Sequence, residues 1–230
     1  MALSHSPRIV TDDLVLYLDS ANTKSYGGSG STWTDVSGSG NNGTLTNGPT
    51  HTSGAGGYFT FDGTNDYVAV GNLGLSSNTL EGWIYSHTNQ GGSSGNTIVS
   101  ALGYYSRVTA EKYTYIGFMG SNTLTFRIDD GSTSHKQVAN FTYTTNQWYH
   151  VALSYNSSTG STVAYVNGSS VGSTTATTGI TFNNTPNDIG RAENGKYFDG
   201  FVSTARIYNT VLTAAEVKQN FDALRGRYGI

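Results

Sequence analysis

A short oxygen-rich turn separates two runs of β-forming residues. Asp62, Asn65 and Asp66 follow Tyr58–Phe61 and precede Tyr67–Val70. Carboxylate and amide oxygens are the hard ligands that Ca²⁺ prefers, and the ion takes about six to eight of them. The three residues therefore predict a calcium site that needs further ligands from other loops. The alternative is an Asx-turn that caps the strand.

A second group combines aromatic rings with a cation. Tyr104, Tyr105 and Arg107 follow the Gly- and Ser-rich segment Ser86–Asn96, which we predict to be an exposed connection. Aromatic side chains with a polar tip are common at interfaces and can stack on the face of a sugar. The three residues therefore predict a carbohydrate-binding site. Since the chain has 16 tyrosines, packing within strands is the alternative.

The acidic residues do not form a pattern typical of hydrolysis. Glutamate occurs only at Glu81, Glu111, Glu193 and Glu216, one to a segment. Retaining hydrolysis of glycosides needs two carboxyl groups a few ångströms apart. The five histidines are scattered without metal-ligand spacing, and no Gly-x-Ser-x-Gly sequence is present. We therefore predict no catalytic residues and no enzyme, the alternative being an unusual glycoside hydrolase that uses Glu81 or Glu111.

Composition excludes several classes of partner. Charged residues make up 12% of the chain, the net charge is −3 and no basic run is present, which argues against nucleic acid. Without cysteine, stability must come from packing and from the sheet hydrogen bonds. The segment Met1–Asp19 has no apolar signal-peptide core, and no run has transmembrane length. We expect neither a signal peptide nor a membrane span.

The rhythm of the chain is that of an antiparallel β-sandwich. Short β-rich runs, each bounded by Gly, Asn, Ser or Asp, recur along most of the sequence. From their spacing we estimate about ten to fourteen strands. They predict a single all-β domain over residues 1–230, with a short N-terminal arm over residues 1–12. The runs are Leu14–Asp19, Tyr58–Phe61, Tyr67–Val70, Thr79–Tyr85, Thr97–Ala101, Tyr113–Met119, Thr123–Ile128, Trp148–Tyr155, Thr162–Val166 and Gly200–Tyr208.

Two local patterns fix parts of this sandwich. In Trp148–Tyr155, Val151, Leu153 and Tyr155 alternate with more polar neighbours, which is typical of a half-buried antiparallel strand. Asn167-Gly168 follows a β-rich run, and both residues tolerate the positive φ of a two-residue type I′ turn. We expect a hairpin there.

One helix is predicted near the C-terminus, over residues 213–225. Thr213 and Glu216 have the spacing of a capping box, and Leu212 can pack against Val217 across the first turn. We expect Gly226 to end the helix.

Five segments spread over most of the chain carry a family resemblance. They are Phe61–Val68, Leu80–Ile84, Trp148–Ala152, Tyr165–Gly168 and Phe198–Glu216, in which Phe61-Asp62-Gly63 recurs as Phe198-Asp199-Gly200. Together they resemble the laminin-G-like, concanavalin-A-like lectin and glucanase superfamily. The resemblance implies a concanavalin A-like jelly roll. Many of its members bind calcium at the sandwich rim, which supports the prediction at Asp62, Asn65 and Asp66. Members that cleave β-glucans carry a Glu-x-Asp-x-Glu run, which this sequence lacks.

A second resemblance rests on three segments near the start of the chain, Leu14–Asp19, Trp33–Asp35 and Asn42–Pro49. They resemble stand-alone versions of this domain in virion proteins of tailed phages. It implies a structural protein at the virion surface, a capsid decoration or a tail or fibre component, made in the host cytoplasm. Its partners would be other virion proteins, host surface glycans and further copies of itself, with Met1–Val10 and Arg225–Ile230 as attachment arms. The alternative is a carbohydrate-binding module or adhesin for host glycans, with calcium as a candidate cofactor.

Overall fold

The computed structural model describes residues 7–54, 56–90, 98–103, 111–120, 122–131, 136–182, 186–192 and 195–230. The α-helix α1 covers Ala214–Leu224 and a 3₁₀ helix covers Arg225–Tyr228. The strands are β1 (Leu14–Asp19), β2 (Thr32–Trp33), β3 (Gly43–Thr46), β4 (Thr50–Thr52), β5 (Tyr58–Asp62), β6 (Tyr67–Ala69), β7 (Asn78–Ser86), β8 (Ile98–Gly103), β9 (Lys112–Met119), β10 (Thr123–Asp130), β11 (Lys136–Thr142), β12 (Trp148–Tyr155), β13 (Ser161–Val166), β14 (Ser169–Thr175), β15 (Arg191–Ala192), β16 (Lys196–Tyr197) and β17 (Asp199–Tyr208).

The larger layer is an eight-stranded antiparallel sheet. Its strand order is β14-β13-β12-β7-β17-β5-β4, and β1 also pairs with β17. The ten-residue strand β17 has room for two partners on one side, because β5 pairs with Asp199–Val202 and β1 pairs with Thr204–Tyr208. The central strands β7 and β17 therefore bring distant parts of the chain into register.

The second layer consists of a four-stranded sheet, β11-β10-β9-β8, and a three-stranded sheet, β2-β3-β6. Ile189 joins them, because its backbone bridges to both Val68 and Leu102. The apolar core lies between the two layers, where Ile84 and Leu153 of the larger sheet share one buried cluster with residues such as Phe126 of the second. The predicted all-β antiparallel sandwich is confirmed.

The strand β12 shows where the prediction from alternation was incomplete. Val151, Leu153 and Tyr155 line the core between the layers, as predicted. His150 and Ala152, on the opposite face, are also fully buried. Helix α1 and the segment before β1 cover this outer face, so the strand is buried on both faces from His150 onward. Alternation identifies which residues share a face but not what covers the other one.

The predicted hairpin and the start of the helix are confirmed. Asn167 (φ 49°) and Gly168 (φ 73°) connect β13 to β14. Thr213 and Glu216 form both hydrogen bonds of the capping box. The prediction for Gly226 is wrong, because the chain continues from Leu224 into the 3₁₀ helix and reverses at Gly229, whose φ is 72°.

The described parts of both chain ends pack against the sandwich. The Val10 N–H donates to Asn220 Oδ1 (2.7 Å), and the Arg8 carbonyl accepts from Gln219 Nε2 (2.8 Å). Arg227 Nη1 contacts both carboxylate oxygens of Asp19 at 2.9 and 3.0 Å. The described parts of these segments therefore contact the folded domain, and their role as attachment arms stays a prediction. Within the described residues, no helix has the length and apolar character needed to cross a bilayer.

The described residues form seventeen strands, more than the estimate of about ten to fourteen. The strands β2, β4, β15 and β16 have only two or three residues each, and they carry no sequence periodicity. The edge strand β11 was missed because Lys136–Thr142 is rich in polar residues, five of its seven side chains being exposed or half-buried.

Candidate functional site

The predicted calcium turn lies at the rim of the sandwich, between β5 and β6. Asp62 Oδ1 accepts hydrogen bonds from the N–H groups of Thr64 (2.8 Å) and Asn65 (3.3 Å), and Asp66 Oδ2 accepts from the Asp62 N–H (3.2 Å). Asp62 therefore forms the Asx-turn that was the alternative to a calcium site. The Thr64 N–H lowers the pKa of Asp62, whereas burial, followed by the charge of Asp62, raises the pKa of Asp66.

These turn residues do not make a complete ion cage by themselves. Two of their carboxylate oxygens are occupied by backbone N–H groups, and Asn65 is exposed. Within the described ranges, no group of three or more His, Cys, Asp or Glu side chains is arranged to hold a metal. Calcium at Asp62, Asn65 and Asp66 stays a prediction that depends on ligands from elsewhere.

The predicted carbohydrate residues Tyr104, Tyr105 and Arg107 lie outside the described residues. The structure brings a different set of aromatic side chains together. Phe201, Tyr85 and Trp148 lie on the adjacent strands β17, β7 and β12, and they are successive partners in the strand register. The ring centroids are 4.9 Å apart for Phe201 and Tyr85 and 5.4 Å apart for Tyr85 and Trp148. We call these three residues the aromatic ladder.

The ladder lies on the outer face of the larger sheet, beyond the end of α1. Tyr58 stacks on Phe201 with centroids 4.1 Å apart, and Tyr228 lies 4.8 Å from Trp148. All five rings are half-buried, so each retains contact with solvent. Further along the same face, the helix covers Trp83, which is completely buried. The ladder is therefore the part of this face that the helix leaves open.

An open cavity of about 340 Å³ lies beside one end of the ladder. Its walls combine aromatic rings with amide side chains, which can donate and accept hydrogen bonds. The lining residues are Tyr85, Asn146, Gln147, Trp148, Tyr149, Asn167, Tyr228 and Ile230. The lining is mainly polar, and the aromatic rings add a smaller apolar part.

A second depression, the rim cleft, has a volume of about 360 Å³. It is mainly polar, and it includes Asp62, the residue that the sequence singled out. The lining residues are Asp62, Gly63, Thr88, Asn89, Gln90, Gly195, Lys196, Tyr197 and Asp199. Asp62 and Asp199 lie opposite each other in the register of β5 and β17, so the two Phe-Asp-Gly sequences meet at this edge.

His87 connects the ladder to the rim cleft. Its ring lies edge-on to Phe201 with centroids 4.3 Å apart, and its Nδ1 lies 3.0 Å from Asp199 Oδ1. Gln90 bonds both backbone groups of Asp199, accepting from its N–H at 3.0 Å and donating to its carbonyl. Of the connection predicted over Ser86–Asn96, the structure describes residues 86–90, and hydrogen bonds of His87 and Gln90 hold this part against Asp199 of β17. Ser86 itself is the last, buried residue of β7 rather than part of an exposed loop.

A buried polar cluster lies under α1 on the same face. The Glu81 carboxylate pairs with Arg206 and lies 3.6 Å from His150 Nε2, and all three side chains are inaccessible to solvent. Asn220 of the helix donates to Glu81 Oε2 (3.0 Å). Burial alone raises the pKa of Glu81, but Arg206 and then His150 outweigh it and lower this pKa below its ordinary value. Glu81 is therefore a sealed structural carboxylate that substrate cannot reach.

The aromatic ladder leaves a signal in the sequence. Trp83 and Tyr85 share one face of β7, and Trp148 begins β12 on the face opposite Val151. Rings on the face away from the core indicate either a covering element or a binding surface. Which strands are neighbours cannot be read from one sequence, so the assembly of the ladder was not predictable.

The two packed antiparallel layers form a lectin-like β-sandwich. The chain belongs to the concanavalin A-like lectin/glucanases superfamily, whose family model matches residues 62–218, more than half of the chain. This match confirms the resemblance found in the sequence. No curated protein sequence matches the chain.

Solved structures share the fold at low sequence identity. The binding domain of Paraclostridial Mosquitocidal Protein 1 has a TM-score of 0.70 and 19% identity, over 92% of this chain and 52% of that one. A second structure is domain 4 of AbnA, an extracellular arabinanase from Geobacillus stearothermophilus, solved in complex with arabinotriose. It has a TM-score of 0.68 and 19% identity, over 90% of this chain and 98% of that one. A third structure is of botulinum neurotoxin type C, whose cell entry depends on two ganglioside molecules. It has a TM-score of 0.68 and 17% identity, over 94% of this chain and 52% of that one. This chain thus spans about half the length of the two toxin structures.

Proposed function

We propose that this protein is a non-catalytic carbohydrate-binding module that holds glycans on the aromatic ladder. The observation that carries this proposal is the register of Phe201, Tyr85 and Trp148, three half-buried rings on three adjacent strands. Backbone hydrogen bonds of the sheet fix their spacing, so a ligand would meet a rigid surface. Rigid aromatic surfaces bind at low entropic cost.

The chemistry of the site suits a sugar. Phe201 is stacked between Tyr58 and Tyr85, so a sugar would pack its C–H groups against the solvent-facing parts of these rings and of Trp148. The hydroxyl groups of the sugar need partners that both donate and accept, and the amides of Asn146, Gln147 and Asn167 beside the ladder have this property. A site for a wholly apolar ligand would not need these amides.

The comparisons support this class of function. The arabinanase domain was solved with arabinotriose, and the neurotoxin depends on two ganglioside molecules for cell entry. The similar structure from the mosquitocidal protein is likewise a binding domain. The burial of Glu81 and the use of Glu216 in the helix cap further support a module without catalysis.

A glycan array followed by calorimetry tests the proposal. The array is probed with the whole chain, once with Ca²⁺ and once with EDTA, and each hit is titrated against the unchanged protein and Trp148→Ala. We expect hits that weaken in the variant. An array without hits under both conditions, or hits that Trp148→Ala leaves unchanged, would contradict binding at the ladder.

A place at the surface of a phage particle is a second, finer proposal. It rests on the resemblance of the opening segment to phage virion proteins. In this segment Trp33 is fully buried, and Asp35 Oδ1 accepts a hydrogen bond from the Tyr17 N–H at 2.8 Å. A decoration protein must self-associate or attach to a repeated lattice, so sedimentation analysis of the pure protein is the first test. A discrete oligomer supports this proposal, and a monomer at all concentrations favours a module used singly.

A further inference from the structure

We propose that the open cavity, the aromatic ladder and the rim cleft form one continuous site for a linear, uncharged oligosaccharide. This inference rests on the proposed function and adds the class of glycan. It excludes a terminal acidic sugar as the preferred ligand. Three observations carry it: the continuity of the surface, its openness at both ends and the distribution of charge.

The surface is continuous because the same residues link its parts. Tyr85 lines the open cavity and stacks on Phe201, and His87 contacts both of these rings. His87 is in turn bonded to Asp199, which lines the rim cleft. The loop that carries His87 is tied to both ends of the site, because the Asn146 N–H donates to the Ser86 carbonyl at 2.8 Å. Among the residues that the structure describes, no helix or strand lies between the ladder and either depression, so a ligand along the ladder would reach both.

The dimensions favour several sugar units over one. Each depression, at about 340 and 360 Å³, lies near the lower end of the range of about 300 to 1,000 Å³ typical of small-ligand sites. Both are open to solvent, and the ladder between them presents three rings in a row. A single sugar would leave most of this surface uncovered. A chain covers it, and its ends can leave through the open sides.

The charges disfavour an acidic sugar. Among the described residues, the lining of the rim cleft includes the carboxylates of Asp62 and Asp199 and the cation of Lys196. The described lining of the open cavity has no charged side chain. The nearby Arg225 and Arg227 are paired with Asp222 and Asp19. In the open cavity a sugar carboxylate would therefore gain no charge-assisted hydrogen bond from the described lining, and in the rim cleft the carboxylates of Asp62 and Asp199 oppose the attraction of Lys196.

The test uses two matched series of probes. Linear arabino-oligosaccharides and cello-oligosaccharides of increasing length measure the dependence on chain length, and lactose with sialyllactose measures the effect of one carboxylate. We expect affinity for the better neutral series to rise at least about tenfold from two to five units, as added units gain contacts. We expect sialyllactose to bind no more tightly than lactose, and neutral binding to be insensitive to NaCl.

Variants at the two ends of the proposed site test whether a long oligosaccharide contacts both ends. Trp148→Ala should weaken short and long chains alike, whereas Tyr197→Ala, in the rim cleft, should weaken only the long ones. Tyr67→Ala is the matched control. The ring centroids of Tyr67 and Tyr197 are 6.5 Å apart, but Tyr67 does not line the cleft. Affinity that does not rise with length, or tighter binding of sialyllactose that Trp148→Ala abolishes, overturns this inference but leaves the proposed function standing. If no probe and no array glycan binds, both fail.

Discussion

Glu81 of β7 and Arg206 of β17 are register partners whose side chains form a completely buried ion pair under the C-terminal helix. Removing one member of such a pair leaves an uncompensated charge in the protein interior. We expect Glu81→Gln to lower the free energy of unfolding by about 3 to 5 kcal/mol, measured by urea denaturation. The double variant Glu81→Gln with Arg206→Met should recover much of this loss.

The control for this experiment is an exposed ion pair of the same chain. Lys218 Nζ lies 2.6 Å from Asp222 Oδ2 on the surface of α1. Lys218→Ala should change stability by less than about 1 kcal/mol, because water screens exposed pairs. Equal effects of Lys218→Ala and Glu81→Gln would show that the burial of the Glu81–Arg206 pair is energetically unimportant.

The same pair makes stability depend on pH. Because the pKa of Glu81 is lower in the folded protein than in the unfolded chain, its contribution is complete above the ordinary glutamate pKa of about 4.3. It is lost as the pH falls through the folded pKa. We expect the stability difference between the unchanged protein and Glu81→Gln to be largest near neutral pH and to shrink below about pH 4. Urea unfolding across the acid range checks this, and a difference that grows on acidification would contradict the lowered pKa.

The hairpin turn under α1 provides a prediction on packing. Gly168 has a φ of 73°, and an added Cβ would lie 3.1 Å from Phe221 Cβ of the helix. Gly179 has the same φ of 73°, but nothing lies within 4 Å of an added Cβ. Both Gly→Ala changes introduce backbone strain of about 1 kcal/mol or more. Gly168→Ala should lower the melting temperature further, and equal losses would show that the helix yields without cost.

The elements that were predictable from the sequence are those whose signal is local. The turn at Asn167-Gly168 depends on two residues that tolerate positive φ, and the capping box of Thr213 and Glu216 depends on spacing alone. The jelly roll followed from alternation and from family resemblance. The burial of Glu81 was not predictable, because its partner Arg206 lies far away in the sequence and the helix that covers it packs on the opposite face from the core.

The calcium prediction can be tested on the turn itself. An ion that binds only the folded state raises stability in proportion to the logarithm of its concentration. If Ca²⁺ binds at Asp62, Asn65 and Asp66, the melting temperature rises with added calcium, falls with EDTA and becomes insensitive in Asp62→Asn. Equal melting temperatures with calcium and with EDTA would leave the Asx-turn as the role of Asp62.

Trp148 allows the aromatic ladder to be studied by fluorescence. Of the three tryptophans, Trp33 and Trp83 are fully buried and Trp148 is half-buried, so a ligand on the ladder should change the emission of Trp148 selectively. Loss of a central tryptophan contact typically costs at least about 2 kcal/mol of binding free energy, so Trp148→Ala should weaken an identified glycan by roughly thirtyfold. Tyr67→Ala removes a half-buried ring elsewhere and should leave affinity unchanged. If Trp148→Ala binds the glycan as tightly as the unchanged protein, the ligand lies elsewhere and the ladder is a packing feature of the sheet.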